Sequence, residues 1–130
     1  MGQQQLLLIV LGVIIVGIAV VVGINLFTAN SVQANQDAVA SDVTNIAALA
    51  QQFYLKPTTL GGGGNTFTNF AIPANLLTTA SGSYSAVVAA QTVTITGLGT
   101  VQDTDSKVAK VVVAVTPNAI GAATVTRVAP

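Results

Sequence analysis

The 130-residue chain is 52% hydrophobic but only 6% charged, and its four basic and four acidic residues cancel to zero net charge. Ordinary soluble domains carry about 25% charged residues, so we expect much of this surface to lie against lipid or other protein subunits. The chain has no Cys and no His, which excludes thiolate zinc sites, iron–sulfur clusters and His-based catalytic triads. Without net charge it does not attract nucleic acid. We therefore predict no enzyme activity, no cofactor and no nucleic-acid partner.

Residues 1–27 form the most hydrophobic part of the chain. Leu6–Ile24 runs for 19 residues without a charged or hydrogen-bonding side chain. As a helix it would be about 28 Å long, which matches the hydrocarbon core of a bilayer. A secretory signal peptide is the alternative, but it requires a basic start and a shorter apolar run. We therefore predict a hydrophobic helix suited to a membrane or to a filament core.

Residues 28–56 are predicted to continue the same helix. No proline occurs before Pro57, so nothing stops the helix after Phe27. The residue before a proline disfavours the α conformation, and we expect the helix to end near Leu55. The prediction is one unbroken helix over about residues 3–55.

The second half of this helix is amphipathic. Its polar residues, including Asn35, are predicted to lie mostly away from one apolar stripe. We expect the stripe to face the C-terminal part of the chain, with a helix–sheet core made of Val39, Val43, Ile46, Ala50 and Phe53.

Residues 57–82 are predicted to be a connecting loop. The loop starts with PTTLGGGGN, which we interpret as a turn followed by a flexible connector. A phosphate-binding loop would need Lys-Ser/Thr directly after the glycines, and this pair is missing. The apolar residues farther along are predicted to cap the core: Phe67, Phe70, Ile72, Leu76 and Leu77.

Residues 83–130 change to β-branched sequence with a period of two, which predicts strands. Turn-forming residues separate these strands, among them Gly97-Leu98-Gly99 and the polar run 102–107. Short connections favour antiparallel neighbours. The predicted fold class is α+β: a long N-terminal helix packed by a small antiparallel β-sheet of three or four strands. The predicted strands are Tyr84–Val88, Thr92–Thr96, Lys110–Thr116 and Thr124–Val128.

Asp103 and Asp105 are the nearest approach to a metal site. Oxygen ligands at alternate positions suit Ca²⁺, but no third acidic residue accompanies them and Lys107 follows. We interpret the segment as a solvated loop. No catalytic, cofactor-binding or metal-binding residue is predicted.

The chain combines the N-terminal run GQQQLLLIVLGVIIVGIAVVVG, the amphipathic extension ANSVQANQDAVASDVTNIAALAQQFYLKP and alternating strands at the C-terminus. This layout resembles the type IV pilin superfamily of bacterial and archaeal filament subunits. As an architecture the resemblance covers the whole chain, and as sequence it covers about the first 55 residues.

The resemblance implies a subunit that is stored in the cytoplasmic membrane, cleaved by a prepilin peptidase and extruded by a pilus assembly machinery. It would then form an extracellular filament on the cell surface, a helical homopolymer of many copies. The residues expected to pack in the filament core are Leu6, Leu7, Ile9, Val10, Val13, Ile14, Gly17, Val20, Val21 and Ile24.

Two departures from the family pattern concern the apolar helix. Many bacterial pilins have a glutamate at the fifth mature position, where this chain has Gln5 if Met1 is the mature first residue. Many also have a proline partway along the helix, and here there is none. The usual basic leader is missing too, so we expect either that it has been removed or that it is only Met-Gly.

Three functions remain open from the sequence. The first is a major pilin, the structural subunit of a long filament. The second is a pseudopilin of a secretion system, which forms only short assemblies. The third is a single-pass membrane-anchored binding domain that stays in the membrane and binds a ligand outside it.

Overall fold

The computed structural model describes residues 2–130. A long helix packs on one face of a four-stranded antiparallel sheet with the strand order β1-β2-β3-β4, which confirms the predicted α+β fold class. The elements are α1 (Gly2–Leu55), α2 (Ala74–Leu77), β1 (Gly82–Val88), β2 (Val93–Gly99), β3 (Val108–Val115) and β4 (Thr124–Val128).

Helix α1 is unbroken over its 54 residues, a length of about 81 Å. We call residues 6–27 the stem and residues 28–130 the head. Every large hydrophobic side chain of the stem is exposed, whereas the second half of α1 packs against the sheet. The change from uniformly apolar to amphipathic sequence therefore coincides with the point where the head begins.

The core of the head lies between α1 and the two central strands. Side chains of β2 and β3 alternate between the two faces of the sheet, and the inner face of each strand is buried. On α1, four of the predicted stripe residues are at most 1% exposed, and the fifth, Phe53, is half-buried at the edge of the core. The four buried stripe residues are Val39, Val43, Ile46 and Ala50, and their strand partners include Val93, Ile95, Val111, Val113 and Val115.

The prediction of a turn at Gly97-Leu98-Gly99 is wrong, because these residues are the last three of β2. Gly97 pairs with both neighbouring strands and lies directly under α1. A Cβ atom at Gly97 would be 2.7 Å from Cγ2 of Val43 and 2.8 Å from Cγ1 of Val39. Glycine is therefore required here because the helix approaches the strand closely.

A Gly97→Ala substitution is expected to destabilise the head by about 1–3 kcal/mol, because the added methyl group overpacks the helix–sheet contact. The measurement is thermal unfolding of the full-length protein in detergent. Gly12→Ala is the matched control, since no atom lies within 4 Å of a Cβ at Gly12. Equal unfolding temperatures for the two variants would contradict the close approach.

The glycine run after α1 has a defined conformation, which differs from the flexible connector that we predicted. The chain makes a 3₁₀ turn at Thr58–Leu60 and then folds back over the helix end. The N–H of Gly63 donates to the carbonyl of Phe53 at 2.8 Å, and the N–H of Asn65 donates to that of Tyr54 at 2.8 Å. A Cβ at Gly63 would overlap the carbonyl of Thr66. The run thus satisfies carbonyl groups that the end of a helix leaves without partners.

The rest of the connecting segment covers one end of the core. Phe67 is fully buried, and Phe70 and Ile72 are nearly so, as the prediction of a cap requires. Leu76 is half-buried, but Leu77 is 43% exposed and does not contribute as predicted. Both leucines lie on α2, a single helical turn that the sequence pattern did not indicate.

Candidate functional site

The stem is the largest exposed apolar surface of the described residues. Its large hydrophobic side chains are between 51% exposed, at Val22, and 73% exposed, at Phe27. Monomeric soluble proteins rarely expose a contiguous apolar surface of more than a few hundred Å². The helix is long and apolar enough to cross a membrane, and none of its most hydrophobic 18-residue window is buried in the molecule. The stem therefore needs an apolar environment from outside the chain.

All ten residues that we predicted to pack in a filament core lie on this exposed surface. They are not set apart from their neighbours, because the stem is apolar on every side. The prediction left out eight further large hydrophobic residues that are exposed on the stem. The continuous apolar run in the sequence already indicated them. The additional residues are Leu8, Leu11, Ile15, Val16, Ile18, Val22, Leu26 and Phe27.

Asn35 joins α1 to the segments next to β1 and β2, contrary to the prediction that it lies away from the apolar stripe. It is 9% exposed, and it follows the buried Val32 by three residues and precedes the buried Val39 by four, so all three lie on one face of α1. Its side-chain N–H donates to the carbonyl of Ser81 at 2.8 Å, and its Oδ1 accepts from the N–H of Val101 at 3.4 Å. This spacing was the sequence signal that could have placed Asn35 on the stripe.

A second polar contact joins α1 to β1. The hydroxyl of Tyr84 donates to Oδ2 of Asp42 at 2.5 Å, and the hydroxyl of Thr79 donates to the same oxygen at 3.2 Å. Burial of Tyr84, followed by its hydrogen bond to Asp42, raises the pKa of Tyr84 to about 12. The sheet and α1 are thus joined by hydrogen bonds at two points of the helix, Asn35 and Asp42.

The raised pKa of Tyr84 predicts a loss of stability at alkaline pH. The unfolded chain loses the phenol proton near pH 10 and the folded chain near pH 12, so the stabilisation is complete below pH 10. As the pH rises from 10 through 12, about 1–2 kcal/mol of the free energy of unfolding should be lost, less than the full pKa difference implies because solvent screens part of the effect. Thermal midpoints of the wild type and Tyr84→Phe, measured from pH 9 to 12, should converge. A constant difference between the two would contradict this coupling.

The loop between β2 and β3 meets α1 where the stem enters the head. Oδ1 of Asp103 accepts hydrogen bonds from the N–H groups of Asp105 and Lys107, at 2.9 and 3.0 Å. The bond from the Lys107 N–H is the main reason that the pKa of Asp103 is lowered. The Asp103 carboxylate thus stabilises the turn of the loop in which it lies. The loop and α1 enclose an open cleft of about 260 Å³, which is lined by Asn25, Thr28, Ala29, Val32, Asp103 and Thr104.

Within residues 2–130, no three residues among His, Cys, Asp and Glu lie close enough together to hold a metal ion. A wider groove of about 450 Å³ lies at the far end of α1, where Phe53 and Phe70 meet edge to face with ring centroids 5.6 Å apart. Lys56 and the amide-bearing residues Gln52 and Asn69 are among its lining residues. Comparisons with protein-family models, with curated proteins and with solved structures find no match to this chain.

Proposed function

We propose that this protein is the structural subunit, a major pilin, of an extracellular helical filament of the type IV pilin kind. The observation that carries the proposal is an apolar stem whose large side chains are all exposed, on a well-packed head. Bundled stems would form the core of the filament, and the heads would surround it.

Contacts between copies explain why the stem is apolar on all sides. A helix that packs on one partner needs one apolar stripe, whereas a helix in the centre of a bundle is covered on every side. Transfer of the stem from lipid to such a bundle brings little hydrophobic gain, so close packing repeated along many copies must hold the polymer. A head-to-tail contact that does not close into a ring extends into a helical filament.

The same stem accounts for the proposed location before assembly. The length of the stem matches the hydrocarbon core of a bilayer, so before assembly the subunit would be anchored in the cytoplasmic membrane with its head outside. Processing by a prepilin peptidase and extrusion by an assembly machinery belong to the proposal through the resemblance to pilins.

A membrane-anchored binding domain is the second candidate. The groove beside Phe53 and Phe70 favours it, because an aromatic floor with Lys56 at the rim suits a small apolar anion. This function requires a stem that stays in lipid as a single helix.

Electron microscopy of the protein, purified from cells without detergent and again after detergent removal, tests the proposal. Long filaments of uniform diameter are the expected result. Short assemblies alone would favour a pseudopilin. Particles of single copies under both conditions would overturn the polymer and favour the anchored domain.

A further inference from the structure

The polar side chains of the first 28 residues are confined to the two ends of the stem. A glutamine run occupies positions 3–5, and Asn25 and Thr28 lie at the other end. Between them, Leu6–Ile24 has no polar side chain. The rise along α1 from Gln4 to Asn25 is about 31 Å. In a bilayer the two ends would lie at opposite interfaces, where water and headgroups supply hydrogen bonds.

A protein core offers no such water, and there each amide needs a partner on another chain. An unpaired amide in an apolar environment costs about 1–3 kcal/mol by protein mutational data. The glutamines are exposed in the monomer, so any partner in a dry core must come from a neighbouring copy. The apolar middle of the neighbouring stem has no group to offer.

The cleft at the head–stem junction has the groups that a glutamine side chain requires. Asn25 and Thr28 present an amide and a hydroxyl, and the internal bonds of Asp103 use Oδ1, which leaves Oδ2 as an acceptor. A glutamine amide has two donor hydrogens and one acceptor oxygen, so it can pair with all three. It also carries no charge into the filament core.

We propose that the glutamine run of one copy docks in the junction cleft of another copy, which sets the stagger between neighbouring stems at about 31–36 Å. This inference rests on the proposed polymer and adds its register. The occupant is the segment 3–5 of a second copy, because this stagger pairs the polar end of one stem with the polar end of the other. A stagger of about half this value would bury the glutamines against aliphatic side chains.

Disulfide cross-linking tests the register directly, because the chain has no cysteine of its own. The test variant is Gln4→Cys with Thr28→Cys, and the register control is Gln4→Cys with Val16→Cys, whose cysteines would meet at a stagger of about 18 Å. A disulfide forms only where two Cα atoms come within about 7 Å. Filaments and detergent-dispersed monomers of each variant are oxidised and separated under denaturing, non-reducing conditions.

The expected result is a ladder of dimers, trimers and longer chains from filaments of the Gln4/Thr28 variant. Either single variant should give no more than dimers, because one cysteine can join only two chains. The Gln4/Val16 filaments and all detergent samples should give no ladder.

Two outcomes overturn the register. One is the absence of a ladder from Gln4/Thr28 filaments, whether or not Gln4/Val16 filaments give one, and the other is an equal ladder from dispersed monomers. In either case, filaments seen by electron microscopy would still support the proposed function, and only the register would be wrong. If neither the wild type nor any variant forms filaments, the proposed function fails and the register fails with it.

Discussion

A Val13→Asp substitution is expected to abolish filament formation while the head remains folded. Val13 lies in the middle of the stem and is 66% exposed in the monomer. An aspartate at the centre of an apolar helix costs about 3 kcal/mol in a membrane, and in a polymer this cost recurs in every copy. The measurement is electron microscopy after detergent removal, together with thermal unfolding of the same sample.

The control is Asn45→Asp, which places the same new charge on the exposed polar side of α1 within the head. It should form filaments as the wild type does. Normal filaments from Val13→Asp would show that the stem does not pass into a dry core, and the proposal of a polymer through the stem would then fail.

A Phe67→Ala substitution is expected to give the largest loss of head stability, about 3–5 kcal/mol. Phe67 is fully buried and its ring packs against that of Tyr54 with centroids 4.8 Å apart. Its N–H also donates to the carbonyl of Ala90 at 2.9 Å, so the ring and the backbone close the same end of the core. The measurement is the thermal or urea midpoint of the full-length protein in detergent.

Leu77→Ala is the matched control, since Leu77 lies in the same connecting segment but is 43% exposed. It should cost less than about 1 kcal/mol. A loss of stability for Phe67→Ala as small as that for Leu77→Ala would contradict the burial of Phe67 in the core.

The elements that the sequence predicted well are those with a long periodic signal. The absence of Pro before residue 57 predicted an unbroken helix, and Pro57 predicted its end near Leu55, which is where the structure places it. The alternation of Thr with Val and Ile predicted β2, although its end was misplaced. Glycine was the source of that error, because it permits both a turn and a close approach of two backbones. Only the position of Val39 and Val43 above Gly97 distinguishes the two, and that contact joins segments far apart in the chain.

The candidate site could be predicted as a segment but not as a surface. The composition of the stem shows that it needs an apolar environment, and its length shows that a bilayer suits it. In the proposed polymer, the side chains that meet a partner depend on the arrangement of neighbouring copies, and a stem that is apolar on every side has no preferred face of its own. The junction cleft escaped prediction for another reason. It combines Thr28 with Asp103, and the fold of the sheet alone brings these two residues together.

The continuity of α1 from the stem into the head has a mechanical consequence. The helix has no proline, and its second half is held along the sheet by the buried stripe and by Asn35 and Asp42. No break in the helix separates the sheet-bound half of α1 from the stem. A force or a torque applied to the sheet is therefore transmitted along the continuous helix to the stem. A filament built from such subunits should resist stretching until neighbouring stems slide past one another.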